Sequence, residues 1–160
     1  MILYLLRHGE AQARAHTDSE RPLTLKGQQD VVSVAREFAA RKLKLDCCWV
    51  SSYLRASQTA DIFLNQLEQS VKSESTDSLI PEVRANIVIR KLAETTSQHV
   101  LLVSHNPLLS ELNAVLTQGD ITDMHILSTS ELVCITIDFV GMGLGTTSFR
   151  LLPTTSPFPY

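Results

Sequence analysis

Short apolar runs alternate with longer amphipathic stretches along the first two thirds of the chain. Ile2-Leu3-Tyr4-Leu5-Leu6 is wholly apolar and too short for a helix, so residues 2–6 read as a buried strand. The polar stretch from Ala11 to Pro22 has no sustained period and reads as a loop. A helix is expected from Leu23-Thr24-Leu25-Lys26-Gly27 onward, with Thr24 as candidate N-cap. Val31, Val34, Ala35 and Phe38 then fall at i, i+3, i+4 and i+7 and make one buried stripe. Asp46 to Val50 is a second short strand, closed by Ser51-Ser52. The helix expected from about Leu54 to Leu67 carries Ala56, Ala60, Phe63, Leu64 and Leu67 on one face.

The serine-rich passage from Gln69 to Ser78 has room for a short edge strand or none. Pro81 suits the first turn of a third helix, where its missing N–H costs nothing, and Ala85, Val88, Ile89 and Leu92 supply the stripe. His99 to Ser104 is the clearest buried strand, and a helix is expected over about Pro107 to Leu116. The last third changes character. Glu131 to Phe139 is a β-branched run, Gly141-Met142-Gly143 a turn, and Thr146 to Leu152 a returning strand. Residues 153–160 are rich in proline and read as an extended tail. Neither an internal repeat nor a linker divides the chain, so residues 1–160 are expected to form a single domain.

Strands alternating with amphipathic helices imply an α/β fold. The expected form is a three-layer α/β/α sandwich with a mostly parallel mixed sheet and an antiparallel pair near the end. In such sheets ligands bind beyond the carboxyl ends of the strands. Three distant segments follow strands there: Arg7-His8, Ser51 to Arg55, and Ser104-His105.

Composition narrows the possibilities. The 160 residues are 44% hydrophobic and 19% charged, as in a soluble globular protein. A formal net charge of −3 excludes a general nucleic-acid binder, whose affinity for phosphate backbones needs concentrated Lys and Arg. The modest cluster Arg41, Lys42, Lys44 reads as a solvated helix end. The 3 cysteines form no C-x-x-C pattern and are odd in number, which points to reduced thiols in the cytoplasm. The apolar N-terminal run is too short to span or enter a membrane. A tyrosine-phosphatase loop is excluded, since it has five residues between cysteine and arginine and lacks no glycine. Here six residues, Trp49 to Leu54, separate Cys48 from Arg55, and none is glycine.

The three strand exits deliver Arg7, Arg55, His8 and His105, with Arg21 as a possible fifth member, and no metal-suited cysteine or acid cluster. Several cations with few carboxylates suit a polyanion, above all a phosphoryl group, whose oxygens match the planar fork of arginine. Phosphoryl transfer is catalysed mainly by fixed donors around those oxygens. His16, His99 and His125 lie outside these exits and read as structural.

Three segments carry a resemblance. Leu6-Arg7-His8-Gly9-Glu10 resembles the R-H-G signature of the histidine phosphatase superfamily, which includes the phosphoglycerate mutases. Ser51-Ser52-Tyr53-Leu54-Arg55-Ala56-Ser57-Gln58-Thr59-Ala60 resembles its S-P-x-x-R-A-x-Q-T-A segment, and Val103-Ser104-His105-Asn106-Pro107 its late histidine motif. Within the superfamily, Asp18-Ser19-Glu20-Arg21-Pro22-Leu23-Thr24 is similar to the D-x-x-R-P-L-T segment of the small SixA-type phosphohistidine phosphatases.

The resemblance implies a phosphoglycerate mutase-like fold and a phosphatase needing neither cofactor nor metal. It implies His8 as phosphorylated nucleophile and Arg7, Arg55 and His105 as holders of the phosphoryl oxygens, with Arg21 an added contact. Asp18 is a further candidate for the substrate site, as is Ser104, which otherwise merely ends its strand. The implied substrate is a phosphorylated histidine-containing phosphotransfer protein or domain in signal transduction. A monomer that binds neither nucleic acid nor membrane is expected, and residues 11–20 and 117–128 are candidate docking loops. A small-molecule phosphomonoesterase and a non-catalytic phosphate reader are the alternatives.

Two departures matter. Ser52 stands where the superfamily usually has proline, which is expected to loosen the loop holding Arg55. The glycine- and tryptophan-flanked segment bearing the acid of mutases and many phosphomonoesterases is missing, which leaves Asp18 and Glu82 as candidate acids. Glu82 otherwise reads as a first-turn helix acid favoured by the dipole. An imidazole leaving group accepts a proton near neutral pH, so a weakly supplied acid favours a P–N substrate over an ester.

Overall fold

The computed structural model describes residues 1–154, and within them six strands alternate with four helices. The order is β1 (Ile2–Arg7), α1 (Leu25–Ala40), β2 (Cys47–Ser51), α2 (Leu54–Asn65), β3 (Lys72–Thr76), α3 (Ala85–Glu94), β4 (His99–Ser104), α4 (Leu108–Gln118), β5 (Leu132–Ile137) and β6 (Gly145–Leu151). The strands form one sheet in the order β3-β2-β4-β1-β5-β6. The first four are parallel, β5 runs antiparallel to β1, and β6 antiparallel to β5. This is the expected mixed, mostly parallel three-layer α/β/α sandwich.

Alternation along β1 explains why its sequence is apolar throughout. Leu3 and Leu5 pack on one face with Val88 and Leu92 of α3 and Leu108 and Leu112 of α4. Tyr4 and Leu6 pack on the other with Val31, Val34 and Phe38 of α1 and Phe63 of α2. A strand covered on both faces has no solvent side on which to show polar residues. Cys47 and Cys48 sit on opposite faces for the same reason.

Several boundaries differ from expectation. β1 reaches Arg7, because its backbone N–H donates to Glu131 O at 3.1 Å and its residue pairs with Ser104 of β4. α2 stops at Asn65, before Leu67. β3 forms although its side chains are almost all exposed: its backbone pairs with β2 from Cys47↔Lys72 to Ser51↔Thr76, and its charged, polar residues suit an open edge. Pro81 does not open the third helix. Leu79, 1% exposed, pins a short 3-10 turn (Asp77–Leu79) to the core, the chain turns through Pro81, and α3 starts only after the extended residue Arg84. α4 runs on to Gln118, where Gly119 adopts φ 89° and ends it. β5 ends at Ile137, short of Phe139. At the tail, the Thr154 N–H donates to Ser33 Oγ at 3.1 Å on α1, and the expected extended tail beyond it lies outside the described residues. No helix among the described residues is long and apolar enough to cross a membrane.

The start of α1 is bolted to the segment leaving β1. Thr24 caps the helix as expected, its hydroxyl oxygen accepting from Gly27 N at 2.9 Å while its O–H donates to Glu10 Oε1 at 2.8 Å. Gly9 and Gly27 make this approach possible: a methyl group on Gly9 would stand 2.7 Å from Gly27 O, and one on Gly27 would run into the Glu10 backbone. Helix propensity alone favours Gly27→Ala by about 1 kcal/mol. Forced separation of two backbones costs about 1–3 kcal/mol, occasionally more, and should win here. Gly27→Ala is therefore expected to lower the urea midpoint of unfolding, and a raised midpoint would refute the contact's importance.

Candidate active site

Six chain segments converge at the carboxyl edge of the parallel strands around a cavity of about 360 Å³. Arg7, His8, Glu10, Ala11, Asp18, Arg21, Arg55, Pro81, Glu82, His105, Asn106 and Thr129 line it. The exits of β1, β2 and β4 thus meet as the strand rule requires.

His8 is 8% exposed and follows the last residue of β1. Its Nδ1 lies 2.7 Å from Gly9 O, which can only accept, so the hydrogen-bond network assigns the proton to Nδ1. That leaves the lone pair on Nε2, where Arg55 Nε donates at 3.3 Å. Burial pushes the His8 imidazole down from 6.5 to about 4, the Gly9 hydrogen bond opposes this, and the charges of Arg55, Arg7 and Arg21 reinforce it. His8 is neutral near pH 7.

His105 is 1% exposed, with its ring centroid 4.9 Å from that of His8. Its Nε2 lies 2.7 Å from Ser51 Oγ. That oxygen has one other polar neighbour, the donor Tyr53 N at 3.3 Å, so Nε2 is the one acceptor within its reach and the hydrogen-bond network assigns the hydroxyl proton to it. The remaining proton of His105 sits on Nδ1, which is buried without a partner. Burial, then His8, Arg55, Arg7 and Arg21, push His105 down to about 2.

Arg7 Nη1 donates to Leu127 O at 2.6 Å, while its Nε is buried and unpartnered. Burial lowers the Arg7 pKa and the Glu131 charge opposes that. Arg55, 3% exposed in the first turn of α2, donates from Nη1 to Asp18 O at 2.6 Å and from Nη2 to Asp18 Oδ2 at 3.0 Å. Arg21 Nε donates to Asp18 Oδ1 at 2.8 Å. Burial would raise the Asp18 carboxyl, but the hydrogen bonds and charges of Arg55 and Arg21 hold it below its ordinary value. Asp18 is an anion here, clamping two cations.

Glu82 reaches the cavity wall, where both its oxygens lie 3.4 Å from the Tyr53 hydroxyl. It precedes α3, so it is not a first-turn helix acid. Ser104 is not brought into the cavity: its hydroxyl donates to Leu79 O at 2.6 Å and holds the turn that carries Pro81 and Glu82. Ser52 does not leave its loop loose, because its hydroxyl donates to Asp77 and ties the loop to the turn after β3. Thr59 Oγ1 accepts from Gly9 N at 3.1 Å and donates to Arg55 O at 2.7 Å, which joins the His8 and Arg55 segments.

Sequence reasoning missed Tyr53, Asn106, Thr129 and the Leu127 carbonyl. Tyr53 stacks edgewise on His105 at 5.2 Å and lies under the Arg55 guanidinium at 4.9 Å. Thr129 and Leu127 sit in a segment with no motif. Glu131 was legible in principle, since it places a charge at the edge of a buried strand as Arg7 does. Among the described residues no group of three or more His, Cys, Asp or Glu is arranged to hold a metal ion. Unpartnered donors beside a neutral imidazole and two guanidinium groups have the chemistry to receive a tetrahedral anion.

Comparison with known proteins gives the same picture. The sequence profile of the histidine phosphatase superfamily (branch 1) matches residues 3–80. Phosphohistidine phosphatase SixA of Escherichia coli (strain K12) is 32% identical over 146 residues, covering 89% of each chain. A SixA homolog of Haemophilus influenzae is 33% identical over 128 residues, covering 72% of this chain and 77% of that one. The solved structure of protein histidine phosphatase SixA complexed with tungstate superposes with a TM-score of 0.86 at 29% identity, covering 96% of this chain and 97% of the other. Fold, motif order and identity agree: the chain belongs to the histidine phosphatase superfamily, as a SixA-type member.

Proposed function

We propose that this protein hydrolyses phosphohistidine on a phosphotransfer protein, without a metal or other cofactor, through a phosphohistidine intermediate on His8. The observation that carries the reading is the neutral Nε2 of His8 beside two unpartnered buried donors, Arg7 Nε and His105 Nδ1. The SixA relatives, named for phosphohistidine, support the same substrate class. The reading has the protein act as a monomeric single domain in the cytoplasm, in signal transduction.

In the first step the His8 Nε2 lone pair attacks phosphorus in line and the P–N bond of the substrate breaks. The departing imidazole nitrogen takes a proton from solvent. Arg7, Arg55 and His105 donate to the equatorial oxygens, and Arg55 Nε moves its hydrogen bond from His8 Nε2 to one of them. Arg21 adds charge at the rim and keeps Asp18 in place. In the second step water attacks phosphorus, the bond to His8 Nε2 breaks, and phosphate leaves.

Asp18, held ionised, has no proton to give a leaving group. Glu82 stands on the cavity wall, and this observation favours the second reading, a small-molecule phosphomonoesterase whose alkoxide leaving group Glu82 would protonate. One assay pair separates the two: a phosphorylated histidine phosphotransfer domain and a panel of phosphate esters, each with chelator present. Phosphate release from the domain and not from the esters is expected. Rapid ester hydrolysis abolished by Glu82→Gln would establish the second reading instead.

His8→Ala is expected to lower phosphate release below about one thousandth of wild type while leaving the fold intact by circular dichroism. Retained turnover would remove His8 from the nucleophile's place. The protonation state is checked separately by ¹⁵N spectra of the histidine side chains. Because the folded pKa lies below 6.5, at about 4, His8 should keep its lone pair on Nε2 as pH falls through 6 and 5, losing it only near 4. An imidazolium signal from His8 at about pH 6 would contradict the proposed nucleophile.

A further inference from the structure

Glu131 is 1% exposed, yet it carries a carboxylate into the core at the start of β5. A buried charge gives little stability for its desolvation cost, so packing alone is a poor reason for it. It stands directly across the strand pair from Arg7, where residues share a face: Arg7 N donates to Glu131 O at 3.1 Å, and Ser130 N to Arg7 O at 3.2 Å. The carboxylate turns back on its own segment. Oε2 accepts from Ser128 N at 2.7 Å, and Oε1 lies 2.8 Å from Nε2 of the partly exposed His125.

What that segment holds is the guanidinium of Arg7. Leu127 O accepts from Arg7 Nη1 at 2.6 Å and from Asn106 Nδ2 at 2.9 Å. Leu127 N donates to Ser110 Oγ at 3.0 Å, and Ser110 Oγ donates in turn to Asn106 Oδ1 at 2.8 Å. The ring is closed, and one carbonyl aims Arg7. Ser128, the next residue, is the one Glu131 clamps.

We propose that Glu131, oriented by His125, is a positioning residue for Arg7. By holding the Ser128 N–H it fixes the 127–130 segment, so that the Leu127 carbonyl keeps the guanidinium directed into the phosphoryl pocket. The inference rests on the reading of that pocket as a phosphoryl site. A residue that misplaces a phosphate-binding group by a fraction of an ångström acts on binding and rate without touching substrate.

The test is binding of inorganic phosphate by calorimetry together with KM and kcat, on the full chain. Glu131→Ala should raise the phosphate Kd and KM roughly tenfold. Glu131→Gln keeps an oxygen for the Ser128 N–H and should return both to within about threefold of wild type. Ile137→Val, a buried change at the far end of β5, serves as a control that lowers stability and should leave both constants unchanged. A folded Glu131→Ala protein with wild-type Kd and KM would overturn the proposal, as would a Gln variant as impaired as Ala. Should Glu131→Ala fail to fold, His125→Ala is read in its place. A Kd about threefold above wild type supports the proposal, and an unchanged Kd overturns it. A wild-type protein that binds no phosphate refutes the phosphoryl pocket itself, whereas binding equal in all variants refutes the Glu131 role alone.

Discussion

Everything at this site depends on keeping an imidazole neutral between guanidinium groups. An imidazolium has no lone pair to attack with, and in an apolar surround it would repel Arg7 and Arg55 strongly. Burial and the two arginines act in the same direction on His8 and hold its pKa at about 4. The Gly9 carbonyl then decides which nitrogen keeps the proton. The same logic acts on His105, where Ser51 fixes the tautomer and leaves Nδ1–H as a donor. On the proposed reading, the cations that would bind phosphate therefore also prepare the nucleophile, with no separate base.

Such a concentration of positive charge needs counter-charge that does not occupy the receptor. Two carboxylates supply it. Asp18 takes both terminal nitrogens of Arg55 and the Nε of Arg21, which leaves Arg55 Nε facing His8. Glu131, which does not line the cavity, favours the charged form of Arg7 against its burial. The glycine contact between Gly9 and Gly27 and the two bonds of Thr59 make the placement rigid, because they join the His8 segment to α1 and α2 by backbone and short side chains.

Much of this was legible in the chain, and the limits have physical causes. Runs such as Ile2 to Leu6 and His99 to Ser104 announce strands because both sheet faces are covered, and the strand rule then brings Arg7, His8, Arg55 and His105 together. Pro81 misled because a helix-start proline and a turn proline look alike locally; what separates them is Leu79, whose burial holds the chain in a turn for four more residues before α3. Ser104 matched a site position, yet a strand-end hydroxyl takes whichever acceptor lies nearest, here the Leu79 carbonyl. The 127–130 segment has no apolar period and no motif, so its place at the site shows only through tertiary contacts, such as Leu127 with Asn106 and with Arg7.

The leaving group gives the last constraint. A carboxylate clamped by two guanidinium groups is a weak acid in name only, since its conjugate base is what the clamps stabilise; Asp18 is thus spent on holding Arg55 and Arg21. Glu82 has the opposite surround, a single phenol at 3.4 Å and an open cavity. An alkoxide, which is strongly basic, would depend on that one group for its proton. An imidazole nitrogen protonates from water at neutral pH and depends on none. On the proposed reading, the pocket therefore meets what a P–N bond requires, which is charge around the phosphoryl oxygens and a nitrogen in line, and it supplies little of what an ester requires.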